Sequence, residues 1–519
     1  MSHWTGFRDE EDSTQTIPPY DPPAYEFTDQ DLTYVFDTTN WVDPVSSLPL
    51  DVVSLIFCFA CKAEISTNDG DWRRKFHPLH LGRVSRAWRH TAWQTSELWE
   101  TLILRLDRVT SFPTFSEILF EWLQRTSGRP LDIFISIPKR KRSRSAIRTF
   151  EPVIDTLMEY SAQWRTVNLK MLHKAYNFFS DPASPSSSPF AHLSLPLLQS
   201  LTIQSAYGVF PTSIIQVPEH GVSPVLDFAV ALNLQELCFK GIHIPDELSS
   251  LVHVSKHQIK RLSFYRCPTV KITHVLKQFP ALEHLTVSSL DSRFNWQYTD
   301  VITHPRLKSV VSILSKHDRN SHGFFSPFLD LPALESVSVF TDYPQRYSVM
   351  FQLFLEASTS TRLTHLHLES TAFIESEIIF TLEMMPSLTH LSIHLKHYPI
   401  AECNDESALS QIFFEQLNPD QSGSYLPRLE EFEYEGYLSV SAIDFLEPLI
   451  LRSRIRSTNS EDVNATAVLR RVRIKAHQIC DTCEVIISEY SDPQYIWEIM
   501  MMMDMNVLTL LDEDGNRWE

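Results

Sequence analysis

The residues of this chain best suited to chemistry lie between positions 365 and 475 and recur at every second place. His365, His367 and Glu369 form one set, and His390 and His394 form the next. Glu431, Glu433 and Glu435 follow, and Arg471, Arg473 and Lys475 close the series. Alternate residues of an extended chain share a face, so each set would present its ionisable groups on one side of one strand. An acidic strand beside a basic one would pair through a charge ladder, each exposed pair worth roughly 0.2–1 kcal/mol. Histidine titrates close to neutral pH. The plainer reading is a device for stability and register. The sharper one is a polar recognition stripe, for which His365, His367, His390, His394, Glu431, Glu433, Arg471 and Arg473 are the target-binding candidates, with the histidine pair pH-responsive.

Other chemistry is sparsely supported. His477, Cys480 and Cys483 have metal-like spacing. A structural zinc site takes four ligands, however, and no second cysteine pair accompanies them, so neither metal nor cofactor is expected. The chain has 11 Gly against 31 Pro. It contains no Gly-x-Gly-x-x-Gly or Walker-type loop, where glycine lets backbone approach phosphate. Gly-x-Ser-x-Gly, His-Glu-x-x-His and a recognisable cysteine-nucleophile signature are also missing. The expectation is a non-catalytic chain, with an enzyme built on the C-terminal Cys/His cluster as the competing class.

The elements that must position the charged stripe are repeats. From residue 195 onward one pattern recurs: apolar, two residues, apolar, one residue, apolar. It runs through Leu198/Leu201/Ile203, Leu234/Leu237/Phe239, Ile259/Leu262/Phe264, Leu282/Leu285/Val287 and Leu307/Val310/Ser312. It continues as Leu334/Val337/Val339, Leu363/Leu366/Leu368, Leu388/Leu391/Ile393, Leu429/Phe432/Tyr434 and Leu469/Val472/Ile474. Trp99/Leu102/Leu104 and Trp164/Val167/Leu169 fit the same spacing. The last two apolar positions of each unit alternate and so face one way in a short strand. Residues 270–279 and 347–355 read as return helices. No unit buries its apolar face alone, so stacked neighbours must supply the core. The central units recur about every 25 residues, and the pattern resembles irregular leucine-rich repeats, whose period is ~20–29 residues. It departs from the standard form in lacking an Asn ladder: only Cys267, after Phe264, occupies the expected place. An α/β domain of another kind with Leu-rich strands is the alternative.

A separate module precedes the repeats. Pro49 suits the first position of a helix, and Asp51 suits the positive end of its dipole. Leu48, Val52, Leu55, Ile56 and Phe59 follow at helical spacing. A second helix starts near Pro78 and carries Leu81, Val84, Trp88 and Ala92 on one side and Arg83, Arg86 and Arg89 on the other. The order Leu48-Pro49-Leu50-Asp51-Val52-Val53-Ser54-Leu55-Ile56-Phe57, then Leu81-Gly82-Arg83-Val84-Ser85-Arg86-Ala87-Trp88-Arg89, then Leu98-Trp99 closely resembles an F-box of the basidiomycete type. It departs from the compact form through the insertion at 62–77. The resemblance implies that the module binds a Skp-family adaptor, and through it the cullin scaffold of an SCF-type ubiquitin ligase. It implies Leu48, Pro49, Val52, Ile56, Leu81, Val84 and Trp88 as adaptor-binding or module-core positions, and a repeat domain that holds a target protein. An adaptor-bound scaffold that degrades nothing is the second reading.

Composition sets the remaining bounds. The net charge of −19 is concentrated at the ends, where Asp9-Glu10-Glu11-Asp12 opens an acidic, Pro-rich stretch and residues 491–519 close the chain. A near-neutral body offers no general electrostatic attraction to nucleic acid. No apolar run reaches the ~18 residues of a membrane helix. Seven cysteines without a secretory signal suggest reduced thiols and a cytoplasmic or nuclear setting. The basic run Pro138–Arg144 resembles a nuclear localisation signal, although a solvated loop explains it equally. The expected plan is an α/β chain with five parts. These are a disordered acidic N-terminus (1–43), an F-box-like domain (44–105), linking strands and helices with a Ser/Pro-rich insertion (106–190), an irregular leucine-rich solenoid (191–490) and an acidic tail (491–519).

Overall fold

The structure, a computed structural model, describes residues 47–65, 72–74, 77–105, 112–136, 151–171, 193–205, 226–228, 230–242, 252–267, 272–288, 301–314, 329–341, 362–370, 374–395, 409–418, 425–438, 442–454, 467–479, 501–503 and 507–511. Residues 1–43, the basic run at 138–144, the Ser/Pro-rich insertion, the segment 347–355, and Cys480 and Cys483 lie outside them.

The apolar doublets of the sequence become strands of one 14-stranded sheet. They are β1 (Thr101–Arg105), β2 (Leu131–Ser136), β3 (Trp164–Met171), β4 (Ser200–Ser205), β5 (Glu236–Lys240), β6 (Arg261–Tyr265) and β7 (His284–Ser288). Then come β8 (Ser309–Leu314), β9 (Ser336–Thr341), β10 (His365–Ser370), β11 (His390–Leu395), β12 (Glu431–Leu438), β13 (Arg471–Ile479) and β14 (Leu508–Leu511). Every strand pairs in parallel with its neighbours in the chain, so sequence order and spatial order are the same. The sheet therefore crosses residue 191 without interruption, and its last strand falls within 491–519. Net acidity concealed that strand, whose Leu508 is fully buried.

Each repeat buries the three positions that the pattern named, except that Leu368 is only half-buried. Leu234, Leu237 and Phe239 are fully buried, as are Ile259, Leu262 and Phe264. Residues between them point away from this core, giving the alternating burial of β4, β9 and β11. A main-chain contact repeats along the array. One carbonyl oxygen ahead of each strand from β4 to β12 accepts two consecutive N–H groups of the next unit. Gln199 receives Gln235 and Glu236, Gln235 receives Lys260 and Arg261, and Lys260 receives Glu283 and His284. The series continues without a gap to Glu430, which receives Arg470 and Arg471, with N···O distances of 2.8 to 3.2 Å.

Return segments close the units. Among the described residues, nine α-helices have both ends defined. The six that lie between strands of the sheet are α4 (Phe112–Arg125), α5 (Glu151–Glu159), α6 (Ile272–Gln278), α7 (Glu375–Glu383), α8 (Gln411–Leu417) and α9 (Ala442–Arg454). Elsewhere the return path contains short parallel ladders, Leu226–Asp227 with Val252–His253 and Ile302–Thr303 with Leu329–Asp330.

The N-terminal module holds α1 (Leu50–Ala60), α2 (Pro78–Val84) and α3 (Arg86–Gln94). Within the inserted segment, Ala63–Ile65 and Trp72–Arg74 pair as an antiparallel hairpin. Two expectations need correction. Pro49 caps α1 rather than opening it, and its carbonyl accepts the Val53 N–H at 3.1 Å. The helix expected to run from Pro78 through Ala92 is two helices. Ser85 is extended, and its hydroxyl accepts the Trp88 N–H to start α3.

Tryptophans lock this module onto the array. Trp99 is completely buried, its Nε1 donates to the Ala92 carbonyl at 3.0 Å, and its own carbonyl accepts from Trp122 Nε1 of α4 at 2.9 Å. Its ring meets Trp122 edge-on at 4.7 Å and Trp93 at 5.6 Å. The Arg125 guanidinium lies about 5 Å from the Trp93 and Trp99 rings. A side chain at Gly82 would run into the Trp93 ring, so α2 can sit this close only as glycine. Replacing Trp99 with Ala removes this joint. We expect a loss of roughly 3–5 kcal/mol in unfolding free energy, the usual range for a buried Trp. A loss below 1 kcal/mol in denaturant titration would contradict the role given to Trp99.

Candidate functional site

Two surfaces stand out. The first is on α1, which is apolar on both sides. Val53, Phe57 and Cys61 face inward, with Phe57 5.0 Å from the half-buried Trp88 ring. Leu50, Val52, Leu55, Ile56 and Phe59 remain exposed, Leu55 at 58 % and Phe59 at 70 %. Of the adaptor-binding candidates, Leu48, Pro49, Val52 and Ile56 lie on the exposed surface. Val84 is exposed at 55 %, because the break at Ser85 ends its helix there. Leu81 is 6 % exposed and belongs to the core, so it can support a docking surface but cannot form one. Leu50 was missed by the sequence reading; its helical spacing from Val53 and Phe57 does not reveal which side faces outward.

The second surface is the outward face of β10 to β13. The registers His365↔His390↔Glu431↔Arg471 and Glu369↔His394↔Glu435↔Lys475 bring the expected residues together. Ser336, His365, His367, His390, Ser392, Glu431, Glu433, Arg471 and Arg473 line an open depression of about 300 Å³. The charge ladder is present: Arg473 Nη1 lies 2.8 Å from Glu433 Oε1, and Lys475 Nζ lies 2.9 Å from Glu435 Oε1. Arg471 lies opposite Glu431 in the register.

The histidines pair across β10 and β11. His365 and His390 stack with centroids 4.0 Å apart, and His390 Nε2 is 3.5 Å from Glu431 Oε1. His367 meets His394 edge-on at 4.9 Å and also packs on Phe340. The Ser392 hydroxyl lies 2.9 Å from His367 Nδ1 and 3.0 Å from His394 Nε2. Ser392 and Phe340 were missed by the sequence reading. Ser392 occupies the alternate position between His390 and His394, so period two could have identified it; nothing local marks Phe340.

Burial, reinforced by the charge of a neighbouring histidine, lowers the pKa of His365 and of His367. The neighbours are His390 for His365 and His394 for His367. His394 and then Arg473 hold the Glu433 carboxyl down to about 2. Glu369, Glu431 and Glu433 oppose the shift on the histidines without reversing it. The unfolded chain therefore binds protons at these histidines before the folded chain does. Their contribution is retained above the ordinary histidine pKa of about 6.5 and falls away below it. Glu433 acts in a separate window, stabilising above its ordinary range and losing that contribution as pH falls toward about 2. Denaturation midpoints at pH 7.5 and 5.5 should drop less in His365→Gln/His367→Gln than in the parent chain. Equal drops would contradict these shifts. Separately, Glu433→Lys should destabilise the fold, and adding Arg473→Glu should restore much of the loss.

Among the described residues no helix is long and apolar enough to cross a membrane. Comparison with known protein families finds no match for this chain, and comparison with curated proteins finds none either.

Proposed function

We propose that this chain is the substrate receptor of an SCF-type ubiquitin ligase. Residues 44–105 serve as an F-box that binds a Skp-family adaptor, and the strand array serves as degenerate leucine-rich repeats that hold a target protein. The observation that carries this reading is the exposed apolar side of α1. Four large apolar side chains, Val52, Leu55, Ile56 and Phe59, share one side of a short helix and remain in water while the opposite side is packed. Contiguous exposed apolar surface of this kind marks an interaction site. It falls within the segment whose residues resemble the F-box. The mechanism is proximity: the module fixes the chain on the ligase, and the array holds the target near the ubiquitin-loaded enzyme. The chain supplies no catalytic group, and its setting is the cytoplasm or nucleus.

The test is co-purification with a Skp-family adaptor, comparing the parent chain with Leu55→Glu/Phe59→Glu. Both side chains are exposed, so melting should be unchanged. Anchors at the centre of an interface contribute more than about 1 kcal/mol each, so the pair should weaken binding roughly 30-fold or more. Failure of the parent chain to bind the adaptor overturns the proposal. Undiminished binding by the variant moves the interface away from α1.

A further inference from the structure

We infer that His367, Glu369 and His394 form a binding site for a divalent transition-metal cation of the zinc class, with a coordination position open to the groove. One ligand atom from each residue lies within 4.8 Å of those of the other two. Strand geometry produces this arrangement. His367 and Glu369 are alternate residues of β10 and so share its outward face, while His394 of β11 is the register partner of Glu369. Two imidazoles and one carboxylate are the donor set of zinc and related metals in sites that keep water at a further position. Ligand atoms around a tetrahedral ion with bonds of about 2.0–2.1 Å sit a little over 3 Å apart, so small side-chain rotations close the set.

The surroundings support the donors. His367 Nε2 already lies 3.8 Å from Glu369 Oε2. Whichever nitrogen of His394 turns to the ion, the other faces a carboxylate. Glu435 is 3.7 Å from Nδ1 and Glu433 is 3.8 Å from Nε2. Carboxylates behind a ligating histidine fix its ring and raise its basicity. Arg473 and Lys475 engage these two carboxylates from the far side, and one Glu369 oxygen lies within 4.8 Å of a ring nitrogen of both histidines. About a quarter of each ligand side chain is exposed, so an ion can enter from solvent. The site spans two repeats and would clip β10 to β11. It does not depend on the adaptor reading and can fail separately from it.

The experiment measures binding of Zn²⁺ alone to the full chain by equilibrium dialysis, with Co²⁺ absorption as a second readout. Parent chain, His367→Ala/His394→Ala, Glu369→Gln and Cys480→Ser/Cys483→Ser are compared. The parent chain should bind one equivalent, show the visible bands of nitrogen/oxygen-ligated Co²⁺, and melt higher as Zn²⁺ is raised. The histidine variant should bind at least 10-fold more weakly, Glu369→Gln should also bind more weakly, and the cysteine variant should match the parent. Absence of stoichiometric binding overturns the site, as does full binding by the histidine variant or loss of binding in the cysteine variant. Should the double histidine variant not fold, Glu369→Gln decides: unchanged affinity and an unchanged Zn²⁺-dependent melting shift overturn the site.

Discussion

One main-chain oxygen per repeat sets the geometry on which the rest depends. From Gln199 to Glu430, each of these carbonyls receives two successive N–H groups from the following unit. An unpaired buried N–H costs about as much as a lost hydrogen bond, so the two donors fix where the next strand starts. The Leu that immediately precedes them, such as Leu234, Leu307 or Leu388, is fully buried. Register and core are thus set by adjacent residues. This also explains how the array dispenses with the Asn ladder: the contact is made by backbone alone, and side chains need only be apolar at three positions.

Fixed register leaves the outward positions free to carry charge, and acid–base pairs recur across neighbouring strands. Arg165 meets Asp132 at 2.6 Å, Arg261 meets Glu236 at 3.4 Å, and Lys308 meets Glu283 at 3.0 Å. Such exposed pairs are worth little individually, roughly 0.2–1 kcal/mol. Between β10 and β13 the pattern changes. Two histidine-bearing strands precede the acidic one, and the acids divide between histidine on one side and Arg or Lys on the other. Glu433, shared in this way, is held low, while burial and a neighbouring histidine lower the pKa of His365 and His367. The same backbone rule therefore yields a histidine-rich patch next to one built of ion pairs.

Much of this was legible because a parallel array with one repeat period places equivalent residues side by side. The doublets named the strands, and alternation named the outward residues, so the repeat spacing alone sets His365, His390, Glu431 and Arg471 at equivalent places. What remained hidden has specific causes. Helical spacing fits Val53, Phe57 and Cys61 as well as it fits Val52, Leu55, Ile56 and Phe59, so the buried side of α1 could not be read. A single extended residue, Ser85, divides a continuous apolar pattern and reverses the fates of Leu81 and Val84. Net charge described residues 491–519 as a tail, although four residues of it complete the sheet. Ser392 was passed over because a hydroxyl carries no charge pattern.

The linear build also separates the two surfaces by a fixed path. The α1 module is locked to β1 through Trp99, and the histidines lie on β10 and β11. Neighbouring strands are about 4.8 Å apart, so the path along the sheet between these points is on the order of 45 Å. Each unit contacts mainly its neighbours, and the carbonyl contacts recur at every step from β4 to β13, so no unit in that stretch lacks the restraint. A molecule gripped at the histidine groove would be held at a set distance from whatever engages α1. On the reading proposed above, that spacing is a property of repeat number. Adding or deleting one unit between β4 and β9 would alter it by one strand step and leave both surfaces intact.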